Sequence, residues 1–272
     1  MITADFHTHT SFSTDSDASP ESMIETAIAR GIKTYCITDH MDYLFPIKEE
    51  PFTFDPEDYF AKLNALKKAY RGQIDLRIGV ELGLRDEPDI RDEVKRLCDR
   101  LTTDYPFDFV IGSTHVIDHF DPYHRDKWKG RTPDEIVQMY FESILYSVRN
   151  YDCFHVYGHL DYILRYVPAG AELDMSRYDD IIDTILKELI ARGKGIEINA
   201  SWLIKGGPSA NPSRSILKRY RELGGNILTI GSDAHIPERI GGRFGEIEAE
   251  LQELGYREYS VFKKGKESRR KL

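Results

Sequence analysis

The sequence predicts an α/β fold, a single closed or nearly closed barrel of seven strand–helix repeats, and three observations carry that reading. Short apolar runs alternate with longer amphipathic segments along the chain, the pattern of βα units. No stretch rich in Pro, Gly or Ser divides the 272 residues into parts. No GxGxxG follows the first apolar run, which removes the main support for an open doubly wound sheet, the structural alternative.

The elements follow in order. The first run, 2–6, precedes a helix that opens at Ser19-Pro20-Glu21, where serine can cap and proline tolerates the first helical position. Met23, Ile24, Ala27 and Ile28 form its apolar stripe and Gly31 stops it. The second run, 34–38, leads to a helix that starts after Asp55-Pro56-Glu57 and ends near Tyr70. Runs 74–82, 107–112, 153–157, 195–199 and 226–230 are followed by helices over about 88–104, 133–149, 177–192, 213–223 and 236–254. Glycine follows a polar last turn in Ala191-Arg192-Gly193 and Glu222-Leu223-Gly224. An extra strand is expected near 256–262. The basic tail from Lys263 to Lys271 reads as a frayed, solvated end of one domain spanning 1–272.

Composition narrows the function. Hydrophobic residues make up 40% of the chain, ample for a sizeable core. With 37 basic against 46 acidic residues the formal charge is −9, which argues against nucleic acid as a partner while leaving room for a small basic pocket. No apolar run approaches the roughly 20 residues that a membrane-spanning helix needs. The start, MITADFHTHT, has neither the basic region nor the apolar segment of a secretory signal. Three cysteines, Cys36, Cys98 and Cys153, form no CxxC pair, and so sparse a set suits a reducing cytoplasm.

The informative residues stand where the apolar runs end. His7-Thr8-His9 follows the first, Asp39-His40 the second, and Glu81 lies within the third. Ser113-Thr114-His115 follows the fourth and Gly158-His159-Leu160-Asp161 the fifth. The sixth ends at Asn199, and the seventh leads into Gly231-Ser232-Asp233-Ala234-His235. In a β/α barrel the C-terminal strand ends share one face, so residues far apart in sequence can meet there. His7 and His9, like Asp233 and His235, differ by two positions and can face one side of an extended segment. Imidazole and carboxylate are the ligand types that zinc, manganese and iron accept in hydrolytic sites. Any one of these histidines alone would more often be a hydrogen-bonded structural group, and Glu81 alone could be a buried carboxylate paired with an arginine. Six histidines at strand ends, joined by acids, point to metal. Of the rest, His155 falls inside a strand and reads as a core residue. His119 and His124 lie in a loop, His119 being taken as substrate-facing.

The ordered set DFHTHTSFSTDS, CITDH, GVELG, GSTH, GHLD, IEIN and GSDAH resembles the polymerase-and-histidinol-phosphatase (PHP) superfamily, closest to its monofunctional histidinol-phosphate phosphatases. The resemblance implies a distorted (β/α)7 TIM-like barrel and three divalent metal ions, zinc, manganese or iron. It implies one metal on His7, His9, Glu81 and Asp233, and a second that shares Glu81 and adds His115 and His159. The third would take Asp15, His40 and His235, with Asp17 the rival to Asp15. Some relatives carry histidine at the Asp15 position, so the aspartate here would favour manganese or iron over zinc.

The same resemblance supplies the reaction. L-histidinol phosphate would be hydrolysed to L-histidinol and phosphate in histidine biosynthesis by a metal-activated hydroxide. A broader phosphoesterase acting on nucleotides or other small phosphoesters is the alternative. A phosphate dianion favours a cationic partner, and arginine's fork matches its oxygens. Among the loop candidates Arg165, Lys205, Arg214 and Arg243, the favoured two are Arg165 and Arg243. Tyr162, Tyr166 or Trp202 could pack on an imidazole, and Asp233 or His235 could help move the proton to the leaving oxygen. The long segments 41–54 and 116–133 read as loops that shape the pocket.

Overall fold

The computed structural model describes residues 1–272 apart from Lys48, Glu50, Ala169 and Glu172, so those two positions of the 41–54 loop lie outside the described residues. The chain runs β1 (Ala4–Asp5), α1 (Pro20–Ala29), β2 (Thr34–Ile37), β3 (His40–Met41), α2 (Pro56–Ala69), β4 (Asp75–Gly83), α3 (Arg91–Asp104) and β5 (Phe109–Ser113). It continues with α4 (Pro133–Asn150), β6 (Val156–Tyr157), α5 (Asp179–Ala191), β7 (Gly195–Asn199), α6 (Ser201–Ile204) and α7 (Arg214–Glu222). Last come β8 (Leu228–Gly231), α8 (Phe244–Glu253), β9 (Glu258–Lys263) and β10 (Lys266–Lys271).

Seven parallel strands make the barrel, in the order β1-β2-β4-β5-β6-β7-β8. The ring closes where its first and last strands meet: Phe6 N–H donates to the Ile230 carbonyl, Asp233 N–H to the His7 carbonyl and His9 N–H to the Ala234 carbonyl, at 2.9, 2.8 and 2.9 Å. Asp5 holds the same seam, accepting from Ser232 Oγ at 2.6 Å and Gly241 N at 3.0 Å. Strand β3 continues β2 beyond a two-residue break without a slip in register, Ile37 opposing Ile78 and His40 opposing Glu81 on β4. That register sets a ligand-type histidine beside a ligand-type carboxylate. Alternation along β4 then puts Arg77, Gly79, Glu81 and Gly83 on one face and Leu76, Ile78, Val80 and Leu82 on the other.

The starts of α1, α2 and α4 follow the capping chemistry. Ser19 accepts from Ser22 N at 3.1 Å and Asp55 from Glu57 N at 2.8 Å. Thr132 and Glu135 form a reciprocal capping box at the head of α4. The last helix begins at Phe244, not 236. Residues 236–243 form a loop with one short 3-10 turn at Pro237–Arg239, Arg30 donating to the carbonyls of Ile240 and Glu238 and Gly241 N–H committed to Asp5. The tail is a second correction. It forms β10, paired antiparallel with β9 through a turn in which Lys264 and Gly265 both have positive φ, as a two-residue hairpin requires. All of β10 is exposed, which is why composition alone suggested fraying. The extra strand expected near 256–262 is β9. It lies against the N-terminal end of the barrel, where Ser260 Oγ accepts from Leu228 N at 3.2 Å and Phe262 packs 5.1 Å from the Phe109 ring.

His155, expected as a core residue, is half-buried just before β6, stacked on Phe109 and accepting the Val110 N–H on Nδ1 at 2.9 Å. Burial, aided by the charge of Lys194, pushes its pKa down to about 4. The unfolded chain binds this proton first, near pH 6.5, so the neutral ring contributes fully above that pH and its contribution is lost as pH falls towards 4. The loss should reach about 3 kcal/mol. His155→Asn, whose Oδ1 can still accept from Val110, should lose less melting temperature than the native protein between pH 7 and 4.5. Identical pH slopes would refute this. Among the described residues no helix is long and apolar enough to cross a membrane.

Candidate metal centre

The strand ends converge on Glu81, which is 1% exposed. Its Oε2 lies 3.1 Å from His7 Nε2, 3.5 Å from His9 Nε2 and 3.1 Å from His40 Nδ1. Its Oε1 lies 3.2 Å from His115 Nε2 and 2.9 Å from His159 Nε2. Asp233 extends the cluster, with Oδ1 3.3 Å from His9 Nε2 and 3.6 Å from His235 Nδ1. Asp15 stands at its edge, 3.0 Å from His235 Nε2 and 3.8 Å from His40 Nε2. All nine residues expected as metal ligands therefore meet in one place, His159 rather than His155 among them. Asp17 is exposed and stays outside.

The donor set fits cations. His7 Nε2, His9 Nε2, His40 Nδ1, Glu81 Oε2 and His235 Nε2 are buried without a hydrogen-bond partner, an arrangement that is costly unless another group satisfies them. Three groups offer ligand atoms within 4.8 Å of one another: His7, His9 and Asp233; His40, Glu81 and His115; and His9, His40 and His235. Burial would raise the Glu81 pKa, but the charges of His7, His115 and His40 hold it well below the usual carboxylate range. Burial, reinforced by His235 and His40, keeps His9 neutral, the form that ligates.

Behind the cluster stands a ring of acids and hydroxyls that the sequence reading missed. Asp42 Oδ1 is 2.7 Å from His115 Nδ1 and Glu197 Oε1 is 2.6 Å from His7 Nδ1. Ser13 Oγ sits 3.1 Å from His9 Nδ1 and donates to Asp39 at 2.6 Å. Two of these carried a legible signal: Asp42 is two positions after His40 on an extended segment, and Glu197 is an acid inside the apolar run GIEIN.

A cavity of about 150 Å³ opens over the centre, walled by Phe45, Phe52, Asp121, Tyr162, Arg165, Tyr166 and Lys205 beside the histidines and acids. Arg165 is fixed by hydrogen bonds to Asn211 Oδ1 at 2.7 Å and Asn199 Oδ1 at 3.0 Å, and its guanidinium lies 4.8 Å above the Tyr162 ring. Its Nη1 remains 3.9 Å from Asp233 Oδ2. Two expectations fail here. Arg243 is half-exposed and paired with Glu246 at 3.0 Å, because the loop before α8 carries it away from the cavity. His119 turns outwards to Asp89 at 3.1 Å and lies outside the wall. Arg214 likewise pairs with Glu253 at 3.1 Å on the surface, and Trp202 is not part of the wall. A larger hollow of about 670 Å³, lined by Lys33, Lys68, Arg71 and Asp75, lies away from the histidines at the start of β4.

The fold and the convergent centre define a metal-binding β/α barrel, and a family model described as PHP domain matches residues 5–201. The chain belongs to that family. A Clostridium acetobutylicum protein named probable histidinol-phosphatase is 37% identical over 241 residues, 88% of this chain and 89% of that one. The Lactococcus lactis histidinol-phosphatase is 29% identical over 264 residues, 96% of this chain and 95% of the other. A crystal structure of the Lactococcus lactis histidinol phosphate phosphatase, complexed with zinc, L-histidinol and phosphate, matches with a TM-score of 0.85 at 28% identity, covering 98% of both chains. The family model ends before Asp233 and His235, whereas these relatives span nearly the whole chain.

Proposed function

We propose that this protein is a metal-dependent phosphomonoesterase that hydrolyses L-histidinol phosphate to L-histidinol and phosphate in histidine biosynthesis. The observation that carries the reading is Glu81, a buried carboxylate with five imidazole nitrogens within 3.5 Å, under a cavity that holds a fixed guanidinium. The likeness to histidinol-phosphatases over nearly all of the chain supplies the substrate.

Three divalent ions would be held: one by His7, His9, Glu81 and Asp233, one by Glu81, His115 and His159, and one by Asp15, His40 and His235. Zinc is the ion of the Lactococcus structure, and manganese or iron suits a site that includes Asp15. Such ions supply a water of lowered pKa and neutralise phosphoryl charge. The chain's own residues do the rest. Arg165 presents its fork to the phosphate oxygens and Lys205 adds a second positive charge at the wall. Tyr162 and Tyr166, whose hydroxyls hydrogen-bond to each other, give an imidazole a flat surface and help exclude water. Asp121, also in the cavity wall, offers an acceptor to the substrate's nitrogen groups. Asp233 or His235 would help pass a proton towards the leaving oxygen. The free thiols Cys36, Cys98 and Cys153 support a cytoplasmic location.

The test is phosphate release by protein stripped of metal and reloaded separately with manganese, zinc or iron. Chelation should abolish turnover, and histidinol phosphate should exceed sugar phosphates, nucleotides and diesters in kcat/KM by about 100-fold or more, nearly 3 kcal/mol of discrimination. A large preference for a nucleotide or a sugar phosphate would overturn the substrate. Appreciable diester turnover would favour the broader phosphoesterase.

A further inference from the structure

We propose that Glu197 is a positioning residue for the metal centre, one buried carboxylate that orients ligands from three neighbouring strands. The inference rests on the metal-dependent reading above. Glu197 sits mid-strand on β7, opposite Thr229 of β8, and is 1% exposed. Its Oε1 lies 2.6 Å from His7 Nδ1, beyond β1. Its Oε2 accepts the His159 N–H at 3.1 Å, beyond β6, and faces Asn199 Nδ2 at 3.4 Å. Asn199 Nδ2 in turn lies 3.2 Å from Asp233 Oδ2, beyond β8.

Burying a carboxylate in a strand is costly without compensation. Among the described residues Glu197 has no lysine or arginine partner; His7 is its one ion-pair contact. It does not line the cavity, so it cannot touch a substrate and acts through the residues it holds. The packing is built around it. A methyl group at Gly231 would fall 2.2 Å from His7 Cβ and 2.5 Å from Glu197 Oε1, so only glycine leaves room for the pair.

A histidine that binds a cation through one ring nitrogen carries its proton on the other, and the acceptor of that proton fixes the ring's orientation. With Nδ1–H donated to Glu197, the His7 lone pair on Nε2 is aimed at the cluster, where it stands 3.1 Å from Glu81 and 3.8 Å from Asp233. The other oxygen fixes the backbone turn at His159, a residue held at φ 26°. Glutamine in place of Glu197 could still accept from His7, but its amide NH₂ would then face the His159 N–H, donor against donor.

The experiment compares native protein with Glu197→Gln, using metal retained against a chelating buffer and the visible spectrum of the cobalt-loaded forms. The variant should bind metal about 10–100-fold more weakly. It should also show a shifted cobalt spectrum and a lower kcat with little change in KM. Native metal affinity together with a native spectrum in Glu197→Gln would overturn the proposal, even if the variant melted lower. Native protein that retains no metal would instead sink the metal-dependent reading itself. Zinc-loaded native protein labelled at histidine gives a check that needs no Glu197 variant. The His7 Nδ1 proton should appear as a protected downfield resonance, assigned by its disappearance in His7→Gln, and its absence overturns the assignment.

Discussion

Glu81→Ala will cost at least about 1,000-fold in kcat, because stabilisation worth several kcal/mol is removed at once. Among the described residues no other side chain has so many ligand-type neighbours: His7, His9, His40, His115 and His159 all approach its two oxygens within 3.5 Å. Alanine leaves those imidazoles facing a space without the negative charge that balances the cations. Elemental analysis should show loss of two ions per chain. Asp15→Ala should lower occupancy of the third ion alone, since among the described residues Asp15 approaches His235 and His40 alone and its side chain is 42% exposed, where water can substitute. Equal losses in the two variants, or none, would count against the shared-ligand assignment.

The second large effect is expected at Arg165. Its side chain is 9% exposed and its guanidinium is anchored by two asparagine side-chain carbonyls, so its remaining N–H groups are held in place before substrate arrives. Removing one such fixed charged donor commonly costs about 100- to 1,000-fold in rate, and Arg165→Ala should lose that much in kcat/KM. Arg165→Lys should recover little. An ammonium has no planar fork to bridge Asn199 and Asn211 while still meeting an oxygen of the phosphate. Kinetics against histidinol phosphate decide it: a change of less than threefold in Arg165→Ala would remove this residue from the phosphate site.

The ligand cluster was legible because two periodicities expose it. Strand alternation and the shared end of a barrel place His7, His9, Glu81 and Asp233 together without any knowledge of loops. The repeat of strands and helices was readable for the same reason, with the starts of α1, α2 and α4 marked by a capping residue and a proline. Loop direction was not readable. Arg243 follows GSDAH closely in sequence, yet the Asp5–Gly241 bond and the Arg30 contacts turn that segment outwards. Lys205 and Arg165, with no better sequence credentials, face inwards. The acids behind the histidines escaped for a different reason. Asp42 and Glu197 are recognised by which ring nitrogen they touch, and Asp39 by the Ser13 hydroxyl that stands between it and His9, and these are matters of distance. The hairpin was missed because β10 contributes no buried side chain, so no apolar pattern announces it.

The seam between β1 and β8 gives the barrel an unusual latch. His7 and His9 leave one side of it and Asp233 and His235 the other, and the same short stretch supplies the backbone bonds that complete the circle. Closing the barrel and bringing its candidate ligands together thus use the same contacts. A cation gripped from both sides would rivet the first strand to the last, so stripping it loosens the ring at its own fastening, and a partly opened molecule has already dismantled its reactive centre.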